Sequence, residues 1–328
     1  MTPASPAYAA STTPLIPGPY QSDSLTPYGT PHTYIQDPCR YLQDKWSSQN
    51  SAPGTVVMVI MFHAITRGNT AAPDQISESK FRALMKELHD QGFTAINMTQ
   101  MDNFMEHNSK IPGRSVLLVV DDRHQAQYFD DFFRQYWTDY GWPVVNAWIS
   151  HYDDAGQAAL PGNIALENEG WVDHQAHGYI HNIPIGPDSS LEYIVGEQQV
   201  PIDYFQANFN KQPIAFIWPG GGFTPYAVQL ARQLGYRLGF TINPRGPVMY
   251  NWVPLADEVD KQRPEWIPEG PAGDPLMVLP RYWDTDAINH IGSVIQIGME
   301  AGAYAEINKA FELEYYESTC KMQYGPIP

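Results

Sequence analysis

Apolar and polar positions alternate in blocks along most of the chain. Val56–Phe62 (VVMVIMF) is a continuous apolar run, β-branched at its start, and predicts a strand buried on both faces. Over 78–91 the period changes: Phe81, Leu84, Met85 and Leu88 fall at helical spacing, with Ser77 as N-cap and Gly92 as the stop. Residues 116–120 (VLLVV) repeat the buried-strand pattern, followed by a helix through 129–140 that Gly141-Trp142-Pro143 ends. Further strands are predicted at 144–149, 214–218 and 238–242, with a short one at 277–279 and a helix at 226–234. Strands alternating with helices imply βαβ units on a parallel sheet, read here as one α/β barrel-like domain over 52–300. Residues 1–51, rich in Pro, Ser and Thr, have too little apolar surface to fold alone and predict an extended arm on that domain, or a tether. Residues 301–328 predict a C-terminal helical segment and tail.

Charge narrows the partners. Of 328 residues, 36 are acidic and 19 are Lys or Arg, a formal net charge of −17. Nucleic acid is excluded, because binding a polyanion needs Lys and Arg to displace counterions, and anionic membrane surfaces are disfavoured in the same way. No stretch approaches the ~18 uninterrupted apolar residues of a membrane span. The many aromatics (20 Tyr, 13 Phe, 9 Trp) suit a secreted protein handling neutral carbohydrate. Cys39 and Cys320 lack CxxC neighbours, which argues against thiolate metal sites; they either staple the arm to the C-terminal segment or stay as two buried thiols. The N-terminus shows no basic region followed by an apolar core, and 4–13 reads as the start of a mature chain. A secreted, periplasmic or cell-surface location is expected. No glycine-rich phosphate loop opens a helix, so nucleotide binding lacks its signature.

In parallel α/β folds, reactive groups collect at the carboxyl ends of strands. The first apolar run ends in His63 and the second in Asp121-Asp122; a later segment carries His174, His177 and His181, and 277–279 leads into Pro280-Arg281-Tyr282-Trp283-Asp284. Paired carboxylates at a buried strand end are costly to desolvate, and an Arg or a metal resolves this. His177 and His181 are spaced i, i+4 and share a face if their segment is helical. Two His and one carboxylate leave a position open for water, as a catalytic metal needs. Taken singly, Asp-Asp reads as a helix cap and His-x-x-x-His as core or surface histidines; their joint placement at one end of a barrel favours chemistry.

Three segments then resemble a known family in order. Residues 116–150 (VLLVVDD…GWPVVNAWIS) resemble the first motif region of the polysaccharide deacetylases, the NodB-homology carbohydrate esterases; 170–182 (GWVDHQAHGYIHN) resemble the second; 213–241 (PIAFIWPGGG…GYRLGFT) resemble the third. The resemblance covers roughly 55–285. It implies a distorted (β/α) barrel with a divalent metal at the strand C-termini, zinc before nickel or cobalt, removing acetyl groups from N-acetylated or O-acetylated polysaccharide. Asp122, His177 and His181 are similar to the metal ligands and Asp121 to the general base. VVMVIMFHAI resembles the poly-N-acetylglucosamine deacetylase branch, which makes His63 the general acid. Arg281 is expected to neutralise and orient Asp121, with Asp284 nearby. Trp218, Tyr179 and Trp283 are candidates to stack on sugar rings, and equally for the core. The chain departs from the family in having Arg123 after the paired aspartates, where Gly is usual, which would crowd the metal or contact an anionic substrate group. It also has Gly220-Gly221-Gly222 in the third motif and no late Leu-x-x-x-His, leaving His63 as sole general acid. A catalytically silent glycan-binding homologue and a hydrolase of a non-glycan amide or ester are the alternatives. Oligomeric state is left open.

Overall fold

The apolar runs become seven strands: β1 (Val56–Phe62), β2 (Arg114–Val120), β3 (Val144–Trp148), β4 (Val172–Ala176), β5 (Ala215–Ile217), β6 (Leu238–Phe240) and β7 (Tyr282–Trp283). They belong to a computed structural model that describes residues 16–26, 28–180 and 183–328. The strands lie in the order β6-β5-β4-β3-β2-β1-β7 and every neighbouring pair is parallel. A two-residue strand, Thr94–Ala95, adds to the start of β2. Period-two alternation sorts the side chains. Val57, Val59, Leu117 and Val119 join one apolar cluster, while Val56, Met58, Ile60, Val116, Leu118 and Val120 join a second. Both faces of β1 and β2 are therefore buried, which is why these runs are continuously apolar.

The sheet closes on itself through one irregular segment. The Leu279 N–H donates to Gly239 O (2.8 Å) and Leu279 O accepts from Thr241 N (2.9 Å), bridging β6 in parallel. Three residues later β7 pairs with Ile60 and Met61 of β1. Residues 279–283 thus touch both edges, which makes the distorted (β/α) barrel expected from the motifs. The strand predicted at 277–279 is not formed: Pro275–Met277 is a 3-10 turn, and regular pairing resumes only after Pro280, which has no N–H to donate. The helix predicted over 129–140 is two helices, Ala126–Phe132 and Arg134–Tyr140. They break at Phe133, whose ring packs edge-on against Phe62 and Phe81.

The N-terminal region is more than extended chain. Gly29–His32 pairs antiparallel with Val253–Ala256, and Pro38–Trp46 is a helix capped by Asp37, with Leu42 buried against Tyr316 and Cys320. Cys39 and Cys320 form a disulfide. Residues 1–15 and Pro27 of the predicted arm lie outside the described residues. Helix Ala287–Tyr315 runs uninterrupted through residue 300. Among the described residues no helix is long and apolar enough to cross a membrane.

Candidate active site

β2 ends at Val120, and the next N–H, that of Asp121, still donates to Phe62 O at 2.7 Å. The ladder with β1 therefore continues one residue and fixes where the Asp121 carboxylate points. Arg281, delivered by the closing segment, meets it with a two-pronged contact: Nη1 to Oδ1 at 2.5 Å and Nη2 to Oδ2 at 2.9 Å. The same guanidinium donates from Nε to Thr241 O at 2.6 Å. Both side chains are buried. Burial alone would push the Asp121 carboxyl up, but Arg281, then His177 and His63, outweigh it and hold the group well below the usual carboxylate range. The planar guanidinium suits this geometry, since its fork matches both carboxylate oxygens at once.

His63 directly follows β1. Its Nε2 lies 3.8 Å from Asp121 Oδ2, and its ring stacks on Trp283 at 5.4 Å between centroids. The stack follows from the pairing of β7 with β1, which sets Trp283 opposite Met61. The His63 side chain is 20% exposed, against 2% for that of Asp121. Asp284, next along, is buried; burial, with the charges of Asp74 and Asp121 adding to it, pushes its carboxyl up to about 7, although the Thr285 backbone pulls the other way.

Asp122 takes a left-handed backbone conformation (φ 66°), which Asp tolerates better than most residues. That turn separates it from Asp121: its side chain is 43% exposed. His177 is the first residue after β4, and its Nδ1–H donates to Ile217 O at 2.8 Å. This fixes the ring and sets Nε2 toward Asp122 Oδ1, 3.9 Å away. A backbone carbonyl behind the distal ring nitrogen is the support that metal-binding imidazoles have, and a carboxylate facing Nε2 is a matching second donor. These two residues fit a divalent cation. Among the described residues no three His, Cys, Asp or Glu side chains gather as a metal-holding group. His181 lies outside the described residues. The helix that would have put His177 and His181 on one face is not formed: 177–180 is irregular chain.

Glu197 shapes that loop and was not signalled as a site residue. It is buried on helix Leu191–Asn208 and accepts from the N–H groups of Tyr179 (2.9 Å) and Ile180 (2.8 Å). Gly178, between them and His177, has φ 74°, and a Cβ there would stand 2.4 Å from Glu197 Oε2 and 2.9 Å from Pro219. The available signal was a Glu at a helix position whose neighbours Ile194, Pro201 and Tyr204 are core residues.

No protein-family model matches the chain. It is 21% identical over 193 residues to a Bacillus subtilis protein named "Putative polysaccharide deacetylase YxkH", covering 57% of this chain and 64% of that one, so it spans less than two thirds of that relative. Its structure is similar to that of the Streptococcus pyogenes deacetylase PplD, solved in complex with acetate (TM-score 0.56, 19% identity, 74% of this chain and 99% of that one). It is also similar to IcaB from Ammonifex degensii (TM-score 0.55, 14% identity, 76% and 100%) and to a Bacillus cereus polysaccharide deacetylase (TM-score 0.54, 18% identity, 73% and 69%). The fold is that of the polysaccharide deacetylases.

Within this deacetylase fold some expected site residues are placed elsewhere. Trp218 is fully buried and donates from Nε1 to Met277 O at 2.7 Å. It is a core aromatic, with no face left for a sugar ring. Arg123, expected to crowd the metal or touch substrate, is instead clasped by Asp153 (2.7 and 2.8 Å) and His151 O (3.0 Å), with 12% of its side chain exposed. Asp153 also caps helix Asp154–Glu169, so Arg123 pins the loop after β3 to the loop after β2. His174 is buried between Glu167 (2.7 Å) and Asn163 (2.8 Å) and is structural. Tyr179 and Trp283 remain half-buried; Trp283 is fixed by a 3.1 Å bond from Nε1 to Ile242 O, and Tyr179 meets His151 edge-on at 5.5 Å.

Proposed function

We propose that the protein is a metal-dependent polysaccharide deacetylase that hydrolyses acetyl groups from N-acetylated glycan. The observation that carries this reading is an ionised Asp121, locked by Arg281, between His63 and the facing pair Asp122 and His177. A divalent cation, zinc in this proposal, would be held by Asp122, His177 and His181 and would supply Lewis acidity for the acetyl carbonyl and the attacking water. Asp121 is placed to accept a proton from the attacking water, and Arg281 keeps its two oxygens aimed. Since the guanidinium favours the ionised carboxylate, Asp121 holds the proton only briefly, and His63, 3.8 Å away, hands one to the departing amine. The Trp283 stack fixes the plane in which His63 does so. Tyr179 and Trp283 are the aromatic surfaces left to meet sugar rings.

The disulfide supports a location outside the cytoplasm, because such bonds persist in oxidising compartments. Acetate release from chitooligosaccharides, poly-N-acetylglucosamine, peptidoglycan and acetylated xylan, with and without EDTA, tests the function. Release from an N-acetylated glycan, lost in EDTA and restored by zinc, is expected. Release that survives EDTA, or persists in Asp121→Asn, sinks the mechanism. A metal-loaded protein that binds these glycans and releases nothing is the silent homologue instead.

A further inference from the structure

β6 ends at Phe240, and the three residues after it, Thr241, Ile242 and Asn243, form no strand of their own. Each of their carbonyls nevertheless accepts from the closing segment. Thr241 O takes the Arg281 Nε–H (2.6 Å), Ile242 O the Trp283 Nε1–H (3.1 Å) and Asn243 O the Arg281 backbone N–H (3.2 Å). Arg281 is the residue that aims Asp121, and Trp283 is the one that stacks on His63. Three consecutive carbonyls therefore stand behind the base and the acid of the proposed reaction at once. An irregular segment needs partners outside itself to hold its place. Here the Asn243 side chain supplies them: it is buried, and its Nδ2 donates to Ile267 O at 3.1 Å and to Glu269 Oε1 at 2.5 Å. Glu269 is fully buried and is fixed from two more directions, by Arg245 Nε (3.2 Å to each oxygen) and by the Ala256 N–H (3.0 Å). The Thr241 hydroxyl adds a weaker tie, 3.4 Å from both Leu279 O and Asn243 N. Among the described residues Asn243 Oδ1 has no partner, a cost that an apolar side chain would avoid. What the amide gives in return is its donor, aimed at Glu269.

We propose that Asn243 is a positioning residue: through the carbonyls of residues 241–243 it sets the Asp121–Arg281 pair and the His63–Trp283 stack in register with each other. The proposal rests on the deacetylase reading for what the two sides do, but not for the bonds that join them. The line of contacts runs from Glu269 through the Asn243 amide to the backbone, and from there to Arg281 on one side and Trp283 on the other. Loss of the amide frees all three carbonyls together, so base and acid lose their mutual placement in one step. A misplacement of about 1 Å at a reacting centre costs on the order of 10²-fold in rate.

Asn243→Ala and the milder Thr241→Val, made in the full chain, test it by the kinetics of acetate release and by the NMR resonances of the His63 ring, assigned by their absence in His63→Gln. Asn243→Ala should lower kcat by about 10- to 100-fold with KM within about threefold, and Thr241→Val should lower kcat by about three- to tenfold. In both, the His63 ring resonances should move, because the Trp283 face stacked on them shifts. The double variant Cys39→Ser, Cys320→Ser, destabilised far from the strand ends, should show neither change. An unchanged kcat, a loss carried by KM, or unmoved His63 resonances overturns the proposal, and so does an equal loss of kcat in the cysteine variant. If the unmodified protein releases no acetate, the deacetylase reading fails and the NMR comparison alone decides: moved resonances uphold the positioning role and unmoved ones overturn it. If Asn243→Ala does not fold, Thr241→Val decides by the same two readouts.

Discussion

Asp121 and Arg281 are each buried, and each charge is compensated by the other. Removing one partner of such a pair leaves an uncompensated charge in the interior, at a cost of about 3–5 kcal/mol. Asp121→Asn should therefore lose activity by at least about 10²-fold and also unfold at lower urea, two effects read by acetate release and by chemical denaturation. A variant that lost activity while keeping full stability would mean the pair is not buried as described. The sign of the pH dependence follows from the shifts. Asp121, held low, contributes stability present above about pH 4, the unfolded value, and lost as pH falls below it. Asp284, raised to about 7, does the opposite: its contribution is complete below about pH 4 and is lost as pH rises through 7. Asp284→Asn should accordingly raise Tm at pH 8 relative to the unmodified protein, with the gain shrinking by pH 5. The residues legible in advance, His63, Asp121, Asp122 and Arg281, are polar groups that terminate apolar runs or follow them closely. Glu197 and Asp153 were not, because their partners, Tyr179 and Arg123, are fixed by tertiary contacts that no local pattern encodes.

At the level of elements, the loop after β4 depends on a backbone turn as much as on a ligand. Gly178 adopts a left-handed conformation with no room for a Cβ against Glu197 and Pro219. Gly178→Ala should displace His177 and weaken metal binding, measured by zinc titration, with a smaller loss of overall stability. The clamp between helix Pro38–Trp46 and the C-terminal segment acts far from the strand ends that carry the site. Replacing Cys39 and Cys320 together by Ser should cost about 2–4 kcal/mol in unfolding experiments and leave acetate release unaltered. Element positions were largely readable from period, since buried parallel strands and amphipathic helices differ in it. Misreadings fell where period is silent. Met277, Val278 and Leu279 look like a strand, yet flanking prolines turn the first into a 3-10 helix; 129–140 look like one helix until Phe133 is drawn into a ring cluster from other elements.

For the molecule as a whole, a net charge of −17 sets a long-range field that opposes anionic chains and attracts cationic ones. If the substrate is an N-acetylated glycan, each turnover exposes an amine, so partly processed chains should bind more tightly than intact ones at low ionic strength. That preference should fade once salt shortens the screening length to about 8 Å or less. KM measured against both substrates across a salt series checks it; equal salt dependence would show the field plays no part. The parallel barrel was foreseeable because strand and helix patterns alternate from Val56 onward. How it closes was not, because closure rests on one irregular stretch, 279–283, that touches both edges of the sheet.

That stretch also sets a clock. Asp121 and Arg281 are 160 residues apart, so a chain still being synthesised holds both aspartates and the histidine loop long before it holds the guanidinium that orients Asp121, the proposed base. A fragment ending anywhere short of the closing segment would display each motif yet lack the guanidinium that keeps Asp121 charged. In the proposed mechanism, hydrolysis therefore requires that the closing segment is in place and the ring is shut.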